Sequence, residues 1–290
     1  MADWLVAHQA TVQSTLLVGS FALVAIWETF LPRREFATPL GSRWFSQIAL
    51  AALGSLVTRL CLPVAAFSMA LLAEQHGWGL FNQLTMPSWA ACALGVLAID
   101  LGSYAQHRAY HAVPLLWRFH RIHHSDLDVD CGTAIRHHPL ETLAAGAFDV
   151  ALVAAIGAPP LAVILAASLA IVASVFNHGN VRLPQAVDRL MRWIIVTPDM
   201  HRIHHSLVVG ESNRNFSNGL PWWDHLFGSY QREPVHGHEK MELGIAEARN
   251  PADVALWRLL RMPLRQASAP TLSIATLGRP KLSPQSRAGM

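Results

Sequence analysis

Charged side chains are scarce here: they make up 14% of 290 residues, against about 25% in ordinary soluble domains. A chain this poor in charge and 52% hydrophobic has a solvent that is partly lipid. Cysteine is scarcer still. Cys61, Cys92 and Cys131 stand far apart with no C-x-x-C pair, which argues against a disulfide framework and against a thiolate metal site. The formal net charge is only +3, and no basic stripe with interleaved aromatics occurs, so no nucleic acid partner is expected. The first apolar run lacks the basic segment and small-residue cleavage site of a signal peptide and is read as a mature helix. There is no H-E-x-x-H signature and no solenoid-type repeat.

What the sequence does have is long apolar runs. A membrane span needs about 20 mostly apolar residues to cross roughly 30 Å of hydrocarbon. Thr15 to Leu31, Phe45 to Ala73 and Met86 to about Tyr104 meet that length. A fourth region, Leu143 to Phe176, is broken at Gly157-Ala158-Pro159-Pro160, each half short for a full crossing, so that two thin spans and a hairpin dipping partway in both stay open. The expected architecture is therefore all-α and integral to a membrane, with about four transmembrane helices, the last a broken hairpin. Residues before Thr15 and from Glu74 to Ser88 carry no Lys or Arg, whereas Arg33, Arg34 and Arg43, then Arg108, Arg118, Arg121 and Arg136, follow the first and third spans. Positive charge marks the cytoplasmic side, so the N-terminus is expected outside and the histidine-rich segments inside. Glu28, Arg59, Asp100 and Asp149 are costly in lipid and should face other helices or an interface. The aromatic stretch after Phe176 suits a cytoplasmic cap on the headgroup layer. One membrane-embedded domain is expected over 1–265, and the Ser- and Pro-rich residues 266–290 read as a flexible tail.

Sixteen histidines are the anomaly, and most crowd into short motifs. His107 and His111 are four apart, and His120, His123 and His124 form H-x-x-H-H. His201, His204 and His205 form it again, inside a six-residue echo of His120 to Ser125. Positions i, i+3 and i+4 of a helix lie on neighbouring parts of one face, so each motif can aim imidazoles toward a common region. Neutral imidazole suits Zn, Cu, Fe and Ni. Eight histidines are too many for one zinc, which takes four ligands in a structural site and three plus water in a catalytic one. Heme would use two axial histidines and leave the doubled His-His unexplained. Isolated residues such as His8, His76, His225, His236 and His238 are more often surface or capping groups than ligands.

These motifs resemble the fatty acid hydroxylase superfamily, in its bacterial sterol desaturase-like branch. The resemblance rests on His107-Arg-Ala-Tyr-His111, His120-Arg-Ile-His-His124-Ser-Asp and Thr197-Pro-Asp-Met-His201-Arg-Ile-His-His205-Ser. It extends through Arg136-His-His-Pro-Leu-Glu141, Phe176-Asn-His178-Gly-Asn180 and Trp223-Asp-His-Leu-Phe-Gly-Ser-Tyr230, and covers about half the chain, residues 86–230. It implies a di-iron, oxygen-dependent oxidoreductase that hydroxylates or desaturates an unactivated C–H of a lipid such as a fatty acyl chain or a sterol. It also implies two Fe ions, O2 as cosubstrate, a bacterial inner membrane with the catalytic face cytoplasmic, and a histidine-lined helical cap. The eight motif histidines match the family's ligands, His178 matches a further ligand position, and His138 and His137 match its His-Pro-x-Glu segment. Asp126, Glu141, Asp199 and Asp224 are the nearby carboxylates that could take a ligand's second N–H. Ser217 and His225 depart from a common Gly and a common Arg, which bears on substrate and not on the metal. Nothing in the chain resembles a redox domain, so a separate electron donor, cytochrome b5-like or a ferredoxin with its reductase, is implied. Two alternatives stay open: a zinc-dependent membrane hydrolase, and a non-enzymatic metal-binding membrane protein.

Overall fold

The computed structural model describes residues 1–265, and the tail expected at 266–290 lies outside the described residues. All regular structure described is helical; the only extended pairings are isolated bridges, Pro32 with Val181 and Ser206 with Leu243. A short α1 (Ala2–Ala7) leads into α2 (Gln9–Phe30), α3 (Leu40–Cys61), α4 (Ala66–His76) and α5 (Ser88–Ala112). Then come α6 (Pro114–His124), α7 (Pro139–Ile156) and α8 (Pro160–His178). The remaining helices are short: α9 (Gln185–Met191), α10 (Pro198–His204), α11 (Val209–Ser212), α12 (Trp222–Leu226), α13 (Gly237–Lys240) and α14 (Leu256–Arg261).

Five runs are long and apolar enough to cross a membrane: Gln9–Phe30, Leu40–Gln83, Ser88–Ala112, Pro139–Ile156 and Pro160–His178. Three of them bear on the sequence reading. The region left open between two thin spans and a shallow hairpin forms two separate helices, because α7 begins at Pro139, four residues before the apolar run. With 18 and 19 residues, α7 and α8 are each about 27 Å long or slightly more, close to the full hydrocarbon thickness. The expected continuous helix from Phe45 to Ala73 is interrupted after Cys61, where Pro63 has no N–H to continue the ladder. Proline also starts helices: Pro114, Pro139, Pro160 and Pro198 each occupy a first turn, where no N–H is required. Gly157, in the left-handed region at φ 66°, ends α7 and lets the chain reverse into α8.

Packing among the long helices relies on small residues. A Cβ at Gly54 of α3 would come 2.8 Å from Thr142 Oγ1 of α7, and one at Gly95 of α5 would come 2.8 Å from Ala162 Cβ of α8. Between membrane helices, where lipid removes the hydrophobic drive, close backbone approach of this kind supplies the contact. At one end of the bundle the interior turns polar. Arg43, Arg121, Arg136 and Arg202 are among the largest fully buried side chains. Arg43, on the first turn of α3, donates to Asp126 at 3.0 Å and to Asp130 at 2.9 Å, and Gln47 donates to Asp126 at 3.0 Å. Arg136 donates to the Ile122 carbonyl and to Ser125 Oγ, both at 2.9 Å. Together they clamp the end of α6 onto α3. Two of the charges expected to face protein do so. Glu28 accepts from the backbone N–H groups of Cys131 and Asn180, at 3.2 and 3.0 Å. Asp100 accepts from Trp223 Nε1 at 2.7 Å and from the Leu220 N–H. Arg59 is exposed on α3.

Candidate metal centre

Four helix ends meet at the polar end of the bundle. The last turns of α5 carry His107 and His111, α6 carries His120, His123 and His124, α8 ends on His178, and α10 carries His201 and His204 with His205 just beyond. Their ring nitrogens fall into two sets. His107, His111, His120, His124 and His204 form the first, and His123, His178, His201 and His205 the second; within each, one nitrogen per ring lies within 4.8 Å of all the others. A third group, His120, His137 and Glu141, adjoins the first. Each H-x-x-H-H motif divides. The outer pair His120 and His124 joins the first set and His123 the second, while His201 and His205 join the second and His204 the first.

Hydrogen bonds on the far side of the rings decide what the converging nitrogens are. His107 Nδ1 lies 2.7 Å from the Phe216 carbonyl, His204 Nδ1 2.8 Å from the Arg214 carbonyl, and His178 Nδ1 2.7 Å from the Ser174 carbonyl. His120 Nδ1 lies 2.7 Å from Glu141 Oε1. These oxygens only accept, so each Nδ1 carries the proton and a neutral ring presents a bare Nε2. Yet the Nε2 atoms of His107 and His204 are 2.9 Å apart, and those of His107 and His120 3.1 Å. Two lone pairs at that separation repel unless a cation lies among them. The donor set therefore fits metal ions. Burial, and then the neighbouring imidazoles, hold His123, His124, His201 and His205 well below the ordinary histidine value. His204 is lowered in the same way. All five are in the neutral form that a metal binds.

The carboxylates singled out from sequence have different tasks. Glu141, in the first turn of α7, accepts from His120 and, at 3.0 Å, from His137 Nδ1. Burial pulls His137 down, but the Glu141 carboxylate outweighs it and raises the imidazole above its ordinary value. His137 also stacks on His123 at 4.7 Å. Asp224 touches no imidazole; it accepts from the N–H groups of Phe216 and Ser217, at 2.8 and 2.9 Å, and so holds the loop whose carbonyls orient His107 and His204. Asp126 faces Arg43, and Asp199 pairs with Arg33 and Arg202 and faces His238 at 3.8 Å; neither orients a ring of the two sets. His138 accepts from the Leu140 N–H as the cap of α7 and packs on Phe119, outside both sets.

Sequence reasoning missed Asn215. It adopts a left-handed φ of 54° and bonds the Met200 and Gln231 carbonyls at 2.9 Å and the Gln231 N–H at 2.8 Å. That pins the 214–216 loop. An Asn between Arg and Phe is a weak signal, since Asn is one of the few side chains that tolerate this conformation. Tyr110 was missed as well; it packs on His120 at 5.2 Å, and its buried hydroxyl has no hydrogen-bond partner among the described residues. Beside the two sets lies a cavity of about 240 Å³, lined by Ser103, Gln106 and Tyr110 of α5, Thr142 and Ala145 of α7 and Ser174 of α8.

A family model described as fatty acid hydroxylase matches residues 92–229, the segment that contains all nine clustered histidines. Residues 92–229 are thus a fatty acid hydroxylase domain, and that family is one of enzymes. Among the curated relatives is the ornithine lipid hydroxylase OlsE of Rhizobium tropici, 28% identical over 76% of this chain and 67% of that protein. The alkylglycerol monooxygenase of Homo sapiens is 27% identical over 65% of this chain and 41% of its own length. The cholesterol 25-hydroxylase-like protein of Danio rerio is 30% identical over 50% of this chain and 55% of its own. The chain thus spans two thirds of the first and about half or less of the other two. No solved structure matches.

Proposed function

We propose that the chain is an oxygen-dependent oxidoreductase that uses two irons to hydroxylate an unactivated C–H bond of a membrane lipid. The observation that carries this reading is the pair of adjoining imidazole sets, five rings and four, beside a cavity between long apolar helices. One zinc has no use for nine imidazoles, and a metal carrier would spread its ligands along the spans, whereas these gather at one end. The nine imidazoles would hold an iron pair that, reduced from outside and supplied with dioxygen, would provide an oxidant for an unactivated C–H; overall, R–H, O2, two electrons and two protons would give R–OH and water.

The protein's own residues supply position. Glu141 and the carbonyls of Ser174, Arg214 and Phe216 fix the tautomer and plane of four rings. The cavity is below the 300–1,000 Å³ usual for a whole ligand, so it takes a short stretch of a lipid whose remainder lies along α5, α7 and α8. Its polar lining of Ser103, Gln106, Tyr110 and Thr142 suits a carbon near a polar head. The relatives are named for ornithine lipid, alkylglycerol and cholesterol, each an apolar body with a polar group. Those names are of hydroxylases and monooxygenases, which favours hydroxylation over desaturation. A separate cytochrome b5-like or ferredoxin-type donor delivers the electrons, on the cytoplasmic face of a bacterial inner membrane.

Protein purified without chelators should contain two irons per chain, with the Mössbauer spectrum of an antiferromagnetically coupled pair. Lipids from cells with the intact gene should include a species heavier by one oxygen. One zinc per chain would replace this reading with the hydrolase, and a species lighter by two hydrogens would replace hydroxylation with desaturation.

A further inference from the structure

A second cavity, of about 830 Å³, lies on the other side of α10. Asp199 lines it and His201 lines the cavity at the metal centre; two residues apart on a helix, they point about 200° away from each other. The second cavity opens where α2 and α8 end. Arg33 and Arg182 follow those ends, and Arg189, Arg192 and Arg232 complete a lining of five guanidiniums against the carboxylates of Asp188, Asp199 and Glu233. Glu239 stands behind, bonded to Arg33 and to Arg182. Arg192 is committed to Asp188 at 2.6 Å, but Arg232 reaches Glu233 only at 4.0 Å. Arg189 has no carboxylate partner among the described residues. Deeper in, His238 is buried and its Nδ1 has no hydrogen-bond partner among the described residues. Trp193, His225 and Tyr230 stack along one wall, with centroids 5.3 and 4.0 Å apart.

The rim is apolar. Leu190, Trp193 and Ile194 are 67%, 63% and 62% exposed, and Trp222, bonded to the Trp193 carbonyl at 2.8 Å, extends the strip. Arginines facing a cavity beside exposed Leu, Ile and Trp, at the ends of membrane helices, match the step from headgroup to acyl chain. We propose that this cavity binds the phosphate of an anionic phospholipid whose chains lie over Leu190, Trp193 and Ile194. An acidic soluble protein would satisfy the guanidiniums but leave that strip in water. The site is independent of the metal assignment.

Native mass spectrometry of the full chain in detergent, titrated with phosphatidylglycerol, tests it. The unaltered protein should retain the lipid and should not retain diacylglycerol, which has the chains without the phosphate. At about fivefold per arginine near a lipid surface, Arg189→Ala should weaken retention about fivefold, and Arg182→Ala/Arg189→Ala/Arg232→Ala about a hundredfold. Arg118→Ala/Arg258→Ala/Arg261→Ala, which removes as many charges elsewhere, should leave it unchanged. If the triple variant at the cavity melts early, Arg189→Ala alone decides, because that side chain has no ion pair to lose. Equal retention by the two triple variants overturns the proposal, as does displacement of the lipid by inorganic phosphate at equal concentration. Unchanged lipid binding with a loss of reduction by an acidic redox protein, in the cavity variant only, reassigns the surface to a protein partner and overturns it too.

Discussion

Glu141 offers the sharpest test of the two-ion reading, because it holds a ring of one set and none of the other. Its Oε1 accepts from His120 at 2.7 Å and from His137 at 3.0 Å, and its Oε2 has no partner. In Glu141→Gln the amide oxygen still accepts, but the charge that strengthens both bonds is gone; charge-assisted hydrogen bonds are worth about 1.5–3 kcal/mol. Removing such an outer partner weakens metal binding about 10–100-fold, or about 1.4–2.7 kcal/mol. His120 belongs to the set of His107, His111, His124 and His204, so the loss should fall on one ion. With rising chelator, the unaltered protein should lose both irons in overlapping steps. Glu141→Gln should fall to one iron per chain at a tenfold to hundredfold lower chelator concentration, with the coupled Mössbauer signal replaced by that of a single site. Glu141→Ala should go further, since it strands both ring N–H groups. Loss of the two irons in step, at the chelator concentration of the unaltered protein, would refute the division into sets.

His123→Ala and His204→Ala strike different sets, and each should abolish turnover and lower iron content while membrane insertion, followed by fractionation, stays intact. Arg43→Met leaves Asp130 buried without its cation and Asp126 with Arg136 alone, at 3.5 Å; breaking a buried pair in this way costs about 3–5 kcal/mol, and the melting temperature and the yield of folded protein should both fall. Ala145→Phe fills part of the 240 Å³ cavity, so lipid turnover should drop with iron content unchanged; equal activity would place substrate elsewhere. Stripping the metal should lower the melting temperature, because bare nitrogens at 2.9–3.1 Å repel once the cations are gone and the linkage term is lost, about 2.7 kcal/mol per site at a free metal concentration a hundred times Kd.

The helical membrane class was legible because run length alone reports it, whatever the packing. Where helices begin was less so. α7 starts at Pro139 inside a polar stretch, since Pro at the first turn and the His138 cap fix a start that hydropathy does not register. The break after Cys61 sits inside an unbroken apolar run, so hydropathy does not register it; Pro63 was its one local signal. The clustered histidines were legible for a different reason: their spacing is a statement about one helix face, and helices form here regardless of partners. Their outer partners were not. The carbonyls that orient His107 and His204 belong to Phe216 and Arg214, and backbone atoms carry no sequence signal. Asp126 and Asp199 were reasonable candidates by proximity along the chain, but Asp199 is two residues from His201 on α10, about 200° around the helix, and Asp126 lies beyond the end of α6, where Arg43 and Arg136 take it. Glu141, seventeen residues from the nearest of the nine along the chain, is the carboxylate that arrives.

The doubled motif itself argues for two ions. Along a helix, the step from i to i+4 turns about 40° and the step from i to i+3 about −60°, so the adjacent histidines of H-x-x-H-H diverge by about 100°. The sets bear this out: His123 and His124 fall in different sets, and so do His204 and His205. No single ion can take both members of such a pair from one short helix without unwinding it. Two foci a few ångströms apart can, if each motif gives its outer pair to one and its middle ring to the other. α6 gives two rings to the first set and one to the second, and α10 gives one and two. His107 and His111 then complete the first set and His178 the second, which is why the motif is worth repeating and why the repeat alone is not enough.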